Sequence, residues 1–187
     1  MAQYVEKPEL NTINNGIFWD EFLADEPAPL VFEQLPFDHP LYIMYSSGTT
    51  GLPKSIVHCA GGVLLQHLKE HKLHVDMSRD KTLFYFTTCG WMMWNWLVSG
   101  LATGGAIVLF DGNPLKPDKS ILLKMIDELN INIFGTSAKY IDTLENMGIT
   151  PKELSGFPSL ETILSTGSPL LEKSFDYVYR DWKEDVL

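Results

Sequence analysis

The hydrophobic pattern changes character near Pro40. Before and at it, apolar residues are scattered among eight acids and among Pro27, Pro29, Pro36 and Pro40. Residues 1 to 40 therefore read as a loosely structured lead-in that packs against a domain and does not form one. Beyond it, short apolar runs alternate with amphipathic stretches. LYIMY (41–45) reads as a buried strand and KSIVH (54–58) as a second one; further strands fall at TLFYFTT, AIVLF, INIFG and ETILSTG. Helical spacing predicts helices over about 62–74, 91–102, 119–129, 137–147 and 170–180. Strands separated by helices specify an α/β fold, a mainly parallel sheet with helices on both faces.

One stretch tests that reading. Between Lys81 and Asp111 there is no charged residue, a run long enough to span a bilayer. Cys89-Gly90 and Thr103-Gly104-Gly105 break it into strand, helix and strand, each suited to a buried α/β core. A transmembrane helix is therefore not expected.

Charge narrows the partners. The formal net charge is -10, and the acids of residues 1 to 40 against the single base Lys7 supply most of it. A general electrostatic grip on nucleic acid or on anionic lipid is excluded, and a polyanion must be held locally. The two cysteines, Cys59 and Cys89, lie far apart with no CxxC spacing, so neither a disulfide framework nor a thiolate zinc site is implied. That usage and the polar, acidic start MAQYVEKPEL fit a cytoplasmic protein with no export signal.

A local anion grip is present. Tyr45 to Lys54, YSSGTTGLPK, follows the first apolar strand and packs hydroxyls, glycines and one lysine together. Gly48 and Gly51 let the backbone turn and approach an anion. Ser46, Ser47, Thr49 and Thr50 offer hydroxyl and N–H donors, and Lys54 adds a point charge. Gly48 to Ser55 nearly fits the P-loop template, but Pro53 stands where its second glycine belongs. Proline donates no N–H, so a Walker-type cradle is rejected.

The same loop resembles the signature of the adenylate-forming superfamily, the acyl-CoA synthetases, luciferases and peptide-synthetase adenylation domains. Two further segments stand in that family's order: Cys89-Gly90-Trp91-Met92, similar to the stretch lining the acyl pocket of short-chain synthetases, and STGSPL (165–170), similar to the stretch beside the adenine. The words SSGTTGLPKSIVH, AGGVLLQHLKEH, GWMMWNW and SGLATGGAIVLFDG resemble the acetoacetate-activating branch of the acyl-CoA synthetases.

The resemblance implies a fragment of the large N-terminal domain of such a ligase: residues 41–187 would be a partial AMP-binding domain after the acidic lead-in, with the C-terminal domain absent. It implies ATP with Mg and CoA as co-substrates, and small-molecule partners only. Ser46, Ser47, Gly48, Thr49, Thr50, Gly51 and Lys54 would hold the ATP phosphates; Gly167, Ser168 and Pro169 would border the adenine; Trp91, Met92 and Met93 would shape the acyl pocket. It implies no protein metal ligand and no complete catalytic set, so the chain by itself is expected to be inactive. A synthetase for another short or medium acid, or a non-catalytic nucleotide-binding α/β domain, remains an alternative.

Other motifs carry less. His67, Glu70 and His71 spell the inverted zinc-protease pattern HxxEH, but no third ligand is marked and Lys69 and Lys72 share the helix, so a solvated amphipathic face is expected. Trp94 and Trp96 read as core. Ser165 and Ser168 lack a GxSxG context and read as a turn closing a strand, as Asp111-Gly112 does after AIVLF.

Overall fold

Each strand of the second half is returned to the same end of the sheet by a helix, and the strands therefore pair in parallel. In the computed structural model, which describes residues 10, 13–23, 28–46 and 51–187, the chain divides into two compact units, Met1–Leu35 and Pro36–Leu187. The second holds a four-stranded parallel sheet of β3 (Thr82–Tyr85), β4 (Ala106–Val108), β5 (Ile133–Ser137) and β6 (Thr162–Thr166), in the order β4-β3-β5-β6. Helix α3 (Met92–Ser99), extended by the tighter turn Gly100–Thr103, joins β3 to β4. Helices α4 (Ile121–Glu128) and α5 (Ala138–Asn146) make the next two crossovers. After β6 comes α6 (Glu172–Tyr177), which widens into a π turn over Val178–Trp182.

Strand alternation deals the sheet's side chains to two cores. Phe84 and Phe134 face α4, α5 and α6 and pack with Leu122, Ile126, Ile141 and Trp182. Leu83, Tyr85 and Ile133 face the other way, toward Trp96 and Leu97 of α3 and Val75 and Met77. Helices on both faces match the expected class. Gly135 permits the sheet's closest internal approach, because a Cβ there would fall on the ring of Tyr85. At the amino ends of the strands, the Asn132 side chain accepts from Thr82 N at 2.9 Å and donates to Ser159 O at 3.0 Å and Glu161 Oε1 at 3.1 Å. One amide thus ties the entries of β3 and β6 to that of β5.

The first strand departs from expectation. β1 (Pro40–Ser46) pairs antiparallel with β2 (Lys54–Cys59) in a separate two-stranded sheet. It is not buried: Tyr42, Met44 and Ser46 are half-buried while Leu41, Ile43 and Tyr45 face outward. A parallel return needs a dozen or more residues, and the span from Ser46 to Lys54 is too short for one. β2 leads into α2 (Ala60–Lys69), which widens into a π turn over Glu70–His74.

In the first unit, α1 (Trp19–Phe22) is a single turn, with the Trp19 and Phe22 rings 6.1 Å apart. None of its described residues joins a buried core cluster. Trp19 is 51% exposed.

The start of α5 offers a direct check on local structure. Ser137 Oγ accepts from Tyr140 N at 3.2 Å, an N-cap that satisfies one of the helix's free donors. Ser137→Ala should lower the free energy of urea unfolding by about 1 kcal/mol. An unchanged urea midpoint would mean that the cap contributes nothing.

Candidate functional site

The carboxyl ends of β3, β5 and β6 open onto a cavity of about 280 Å³. This is the edge at which open parallel sheets place their ligands. Tyr85, Phe86, Trp91 and Met93 give it an apolar wall, with Thr87, Thr88, Ser137, Thr166 and Gly167 around the strand ends. Trp91 stands at the N-cap of α3 in extended conformation, which turns the chain from the strand end into the helix. Met92, 39% exposed, lies outside this lining, and Met93 lies within it.

The polar groups of the cavity differ in what they have left to give. Tyr85 donates its hydroxyl to Thr136 O at 3.1 Å, and burial pushes its titration far above the usual tyrosine range, so it stays protonated. Thr87 donates to Thr88 O at 3.2 Å. Thr136 is wholly buried, but alternation turns it to the opposite face of the sheet from Tyr85. Ser137 and Thr166 stand opposite each other in the ladder, on the cavity's face. Ser137 accepts the Tyr140 N–H, so its own hydrogen remains to donate.

The Gly-x-Pro turn straddles two hollows. Gly167, at φ 92°, lines the apolar cavity, whereas Ser168 and Pro169 line a smaller one of about 140 Å³ with Lys139, Asp142 and Leu171. The left-handed φ is one that glycine alone adopts without strain. Hydrogen bonds from Lys173 (2.9 Å) and Lys139 (3.2 Å) hold the Asp142 carboxyl below the usual carboxylate range, so this wall is charged.

The YSSGTTGLPK segment runs from β1 to β2. Ser46 ends β1 and pairs in the ladder with Lys54, which begins β2 and is exposed. Gly51 has φ 150°, with open space where a Cβ would stand. Ser47, Gly48, Thr49 and Thr50 lie outside the described residues. A second hollow of about 350 Å³ flanks Tyr85 on its other side, lined by Trp94, Leu97, Leu109, Phe110 and Cys89. Sequence reasoning singled out neither Ser137 nor Thr166 as cavity residues. Their signal was position, a hydroxyl at the last residue of each of two adjacent parallel strands.

The HxxEH histidines are not on a solvated face. His67 is 3% exposed and His71 fully buried, turned inward on α3, while Lys69 and Lys72 point outward. Burial lowers both imidazoles below the usual histidine range. Among the described residues no group of three or more His, Cys, Asp or Glu side chains comes together as a metal site. Nor is any described helix long and apolar enough to cross a membrane.

Beside this parallel α/β sheet, with its hydroxyl- and glycine-rich segment and an apolar cavity at its carboxyl edge, stands a family match: residues 5–186 match the AMP-binding enzymes, and the chain belongs to that family. Its relatives are specific. It is 53% identical over 186 residues to the acetoacetyl-CoA synthetase of Gallus gallus, covering 97% of this chain and 28% of the relative. It is 53% identical over 176 residues to the acetoacetyl-coenzyme A synthetase of Rhizobium meliloti, covering 94% of this chain and 27% of the relative. A malonamoyl-CoA synthetase of Penicillium aethiopicum is 46% identical over 184 residues, covering 90% of this chain and 25% of the relative. The solved acetoacetyl-CoA synthetase of Streptomyces lividans superimposes with a TM-score of 0.81 at 42% identity, over 89% of this chain and 26% of that one. The chain thus spans about 28% of the length of the curated relatives it matches.

Proposed function

We propose that this chain is part of an ATP-dependent acetoacetate–CoA ligase, in which residues 41–187 form part of the AMP-binding domain and residues 1–40 lead into it. The observation that carries the reading is the presence, in a chain 53% identical to acetoacetyl-CoA synthetases, of both the SSGTTGLPK sequence and a cavity lined by Trp91 and Met93. The acid's carboxylate attacks the α-phosphate of ATP and pyrophosphate leaves; the CoA thiol then displaces AMP from the acyl-adenylate. Catalysis of the first step is chiefly positioning and neutralisation of the departing pyrophosphate. Ser46, Ser47, Gly48, Thr49, Thr50, Gly51 and Lys54 hold the phosphates, with Lys54 as an anchoring charge and not a base. Magnesium arrives with the triphosphate and needs few protein ligands. Gly167, Ser168 and Pro169 border the adenine.

Trp91 and Met93 enclose the acid's apolar end, and Met92 stands between them in the chain. Acetoacetate and malonamate, the acids named by the relatives, both carry a carbonyl oxygen beta to the carboxylate. Such an oxygen only accepts, and the hydroxyls of Ser137 and Thr166 can donate to it. Binding small molecules in a cytoplasmic setting fits the acidic charge.

The test is pyrophosphate exchange by the full-length ligase against a panel of acetate, propionate, butyrate, malonamate and acetoacetate. Acetoacetate should give the highest kcat/KM, at least tenfold over butyrate, which lacks only the keto oxygen, in keeping with what one buried polar contact decides. Equal or better use of acetate would overturn the assignment.

A further inference from the structure

The histidines of the HxxEH segment have no part in the adenylation just described, yet they sit at the centre of a polar cluster between α2 and α3. Ser99 Oγ is its hub. It lies 2.9 Å from His67 Nδ1 and 3.0 Å from His71 Nε2, and it donates to Trp96 O at 2.6 Å. His71 Nε2 is also 3.0 Å from Trp96 O, and the His71 ring lies on the Trp96 ring with centroids 4.1 Å apart. Trp96 Nε1 donates to Glu70 Oε2 at 2.8 Å, and Gln66 Nε2 to Glu70 Oε1 at 2.6 Å. Three side chains of α2 and its π turn, His67, Glu70 and His71, thereby grip the carboxyl-terminal half of α3, and Gln66 holds Glu70 in place. Gly100 lets the end of α3 lie close on β3, since a Cβ there would stand 2.9 Å from Leu83.

Hydrogen-bond bookkeeping fixes the protons. The Ser99 hydrogen is spent on Trp96 O, so Ser99 accepts from the imidazoles. His67 then carries its proton on Nδ1 and His71 on Nε2, which leaves His71 Nδ1 a buried lone pair with no partner. A second proton on His71 would have to sit at that Nδ1, in the core, with nothing to receive it.

We propose that His67, His71 and Ser99 form a positioning lock that holds α3, and with it Trp91 and Met93, against the acid-binding cavity, and that the lock closes only on neutral imidazoles. The lever is short. Ser99 and Trp91 belong to one helix and its cap, eight positions or about 12 Å apart at 1.5 Å per residue, so loosening one end re-aims the other. The role assigned to the cavity rests on the proposed ligase reading; the lock itself does not.

The charges that face the pair are few. The Trp96 carbonyl at His71, and Glu70 on the same helical run at both rings, favour protonation; His58 of β2 opposes it at His67, and His67 opposes it at His71. Lys69 lies 3.9 Å from Glu70 and offsets its charge. α3 and β3 contribute no acid or base other than Tyr85, which stays neutral. Burial dominates and lowers both histidines from 6.5. The folded state therefore binds fewer protons than the unfolded one: the lock's stability is fully present above about pH 6.5 and is lost as pH falls through the lowered values.

Two measurements test this. In proton–nitrogen spectra of this chain, acidification from pH 7.5 to 5 should shift the indole signals of Trp96 and Trp91 along the same curve as the His67 and His71 rings. In the full-length ligase the KM for acetoacetate should rise about tenfold over that range, with kcat and the KM for ATP within about twofold. Ser99→Ala should raise the acid's KM about tenfold even at pH 7.5, Ser99→Thr should restore it, and His71→Gln should flatten the profile. Indoles that do not follow the histidines, or acid and ATP KM values that move together, would overturn the lock. Should the ligase prefer another acid, the ligase reading fails while the spectra still judge the lock.

Discussion

Replacing Gly135 by alanine is expected to be the most destabilising single-methyl change in the parallel sheet. The new methyl would coincide with the ring of Tyr85, which lies across β5 and donates its hydroxyl to Thr136 O. The ring has nowhere to go without disturbing its edge-on contact with Trp96, at 6.0 Å between centroids. Overpacking of this kind costs about 1 to 3 kcal/mol, and here the upper end is expected, because the colliding atoms are a fixed ring and the backbone of a central strand. Urea unfolding of the variant would check it, and Gly135→Ala with Tyr85→Leu should recover part of the loss. An unchanged midpoint would show that Tyr85 can move aside. The cavity is affected too, since Tyr85 is part of its wall.

The second large effect concerns the loop proposed to hold the ATP phosphates. Lys54→Ala in the full-length ligase should lower kcat/KM for Mg-ATP about 100-fold or more, comparable to the loss of one donor at a developing oxyanion, while the variant's thermal midpoint stays within about 1 °C. Stability should be untouched because Lys54 is exposed and takes part in no ion pair among the described residues. Lys54→Arg should recover only part of the activity, since a planar fork replaces a compact charge. Equal loss of ATP use and of thermal stability would assign Lys54 to the fold and remove it from the phosphate site.

Most of the parallel layer could be read in advance, because each of its strands is an apolar run closed by glycine or a hydroxyl residue and followed by a helix of matching period. TLFYFTT and INIFG became β3 and β5 with boundaries shifted by only a few residues, as ragged strand ends allow. LYIMY misled because a run of large apolar residues looks the same in a half-exposed hairpin as in a buried strand. The span between Ser46 and Lys54, too short for a crossover, was the overlooked clue. The histidines misled differently: flanking lysines suggested a wet helix, but period 3.6 places Lys69 and Lys72 on the face opposite His67 and His71. Ser99 and the Trp96 carbonyl, 28 and 25 residues beyond His71, explain why imidazoles can be buried there, and nothing local announces such partners. Of the site, the loop and Trp91 were legible as motifs, whereas Ser137 and Thr166 become neighbours only once β5 and β6 are in register.

The strand order has a consequence in time. β3 lies between β4 and β5, and its register is stitched at Thr82 by Asn132, 50 residues further along the chain. A ribosome adds about 5 to 20 residues per second, so some 3 to 10 seconds separate the emergence of Leu83-Phe84-Tyr85 from that of the strand that covers its open edge. Throughout that interval an uncharged, aromatic segment with an unpaired backbone is in the open, the state most prone to pair with another chain. Slowing elongation between Tyr85 and Asn132 should therefore lower the soluble yield of this chain, and a chaperone that shields short aromatic strands should restore it.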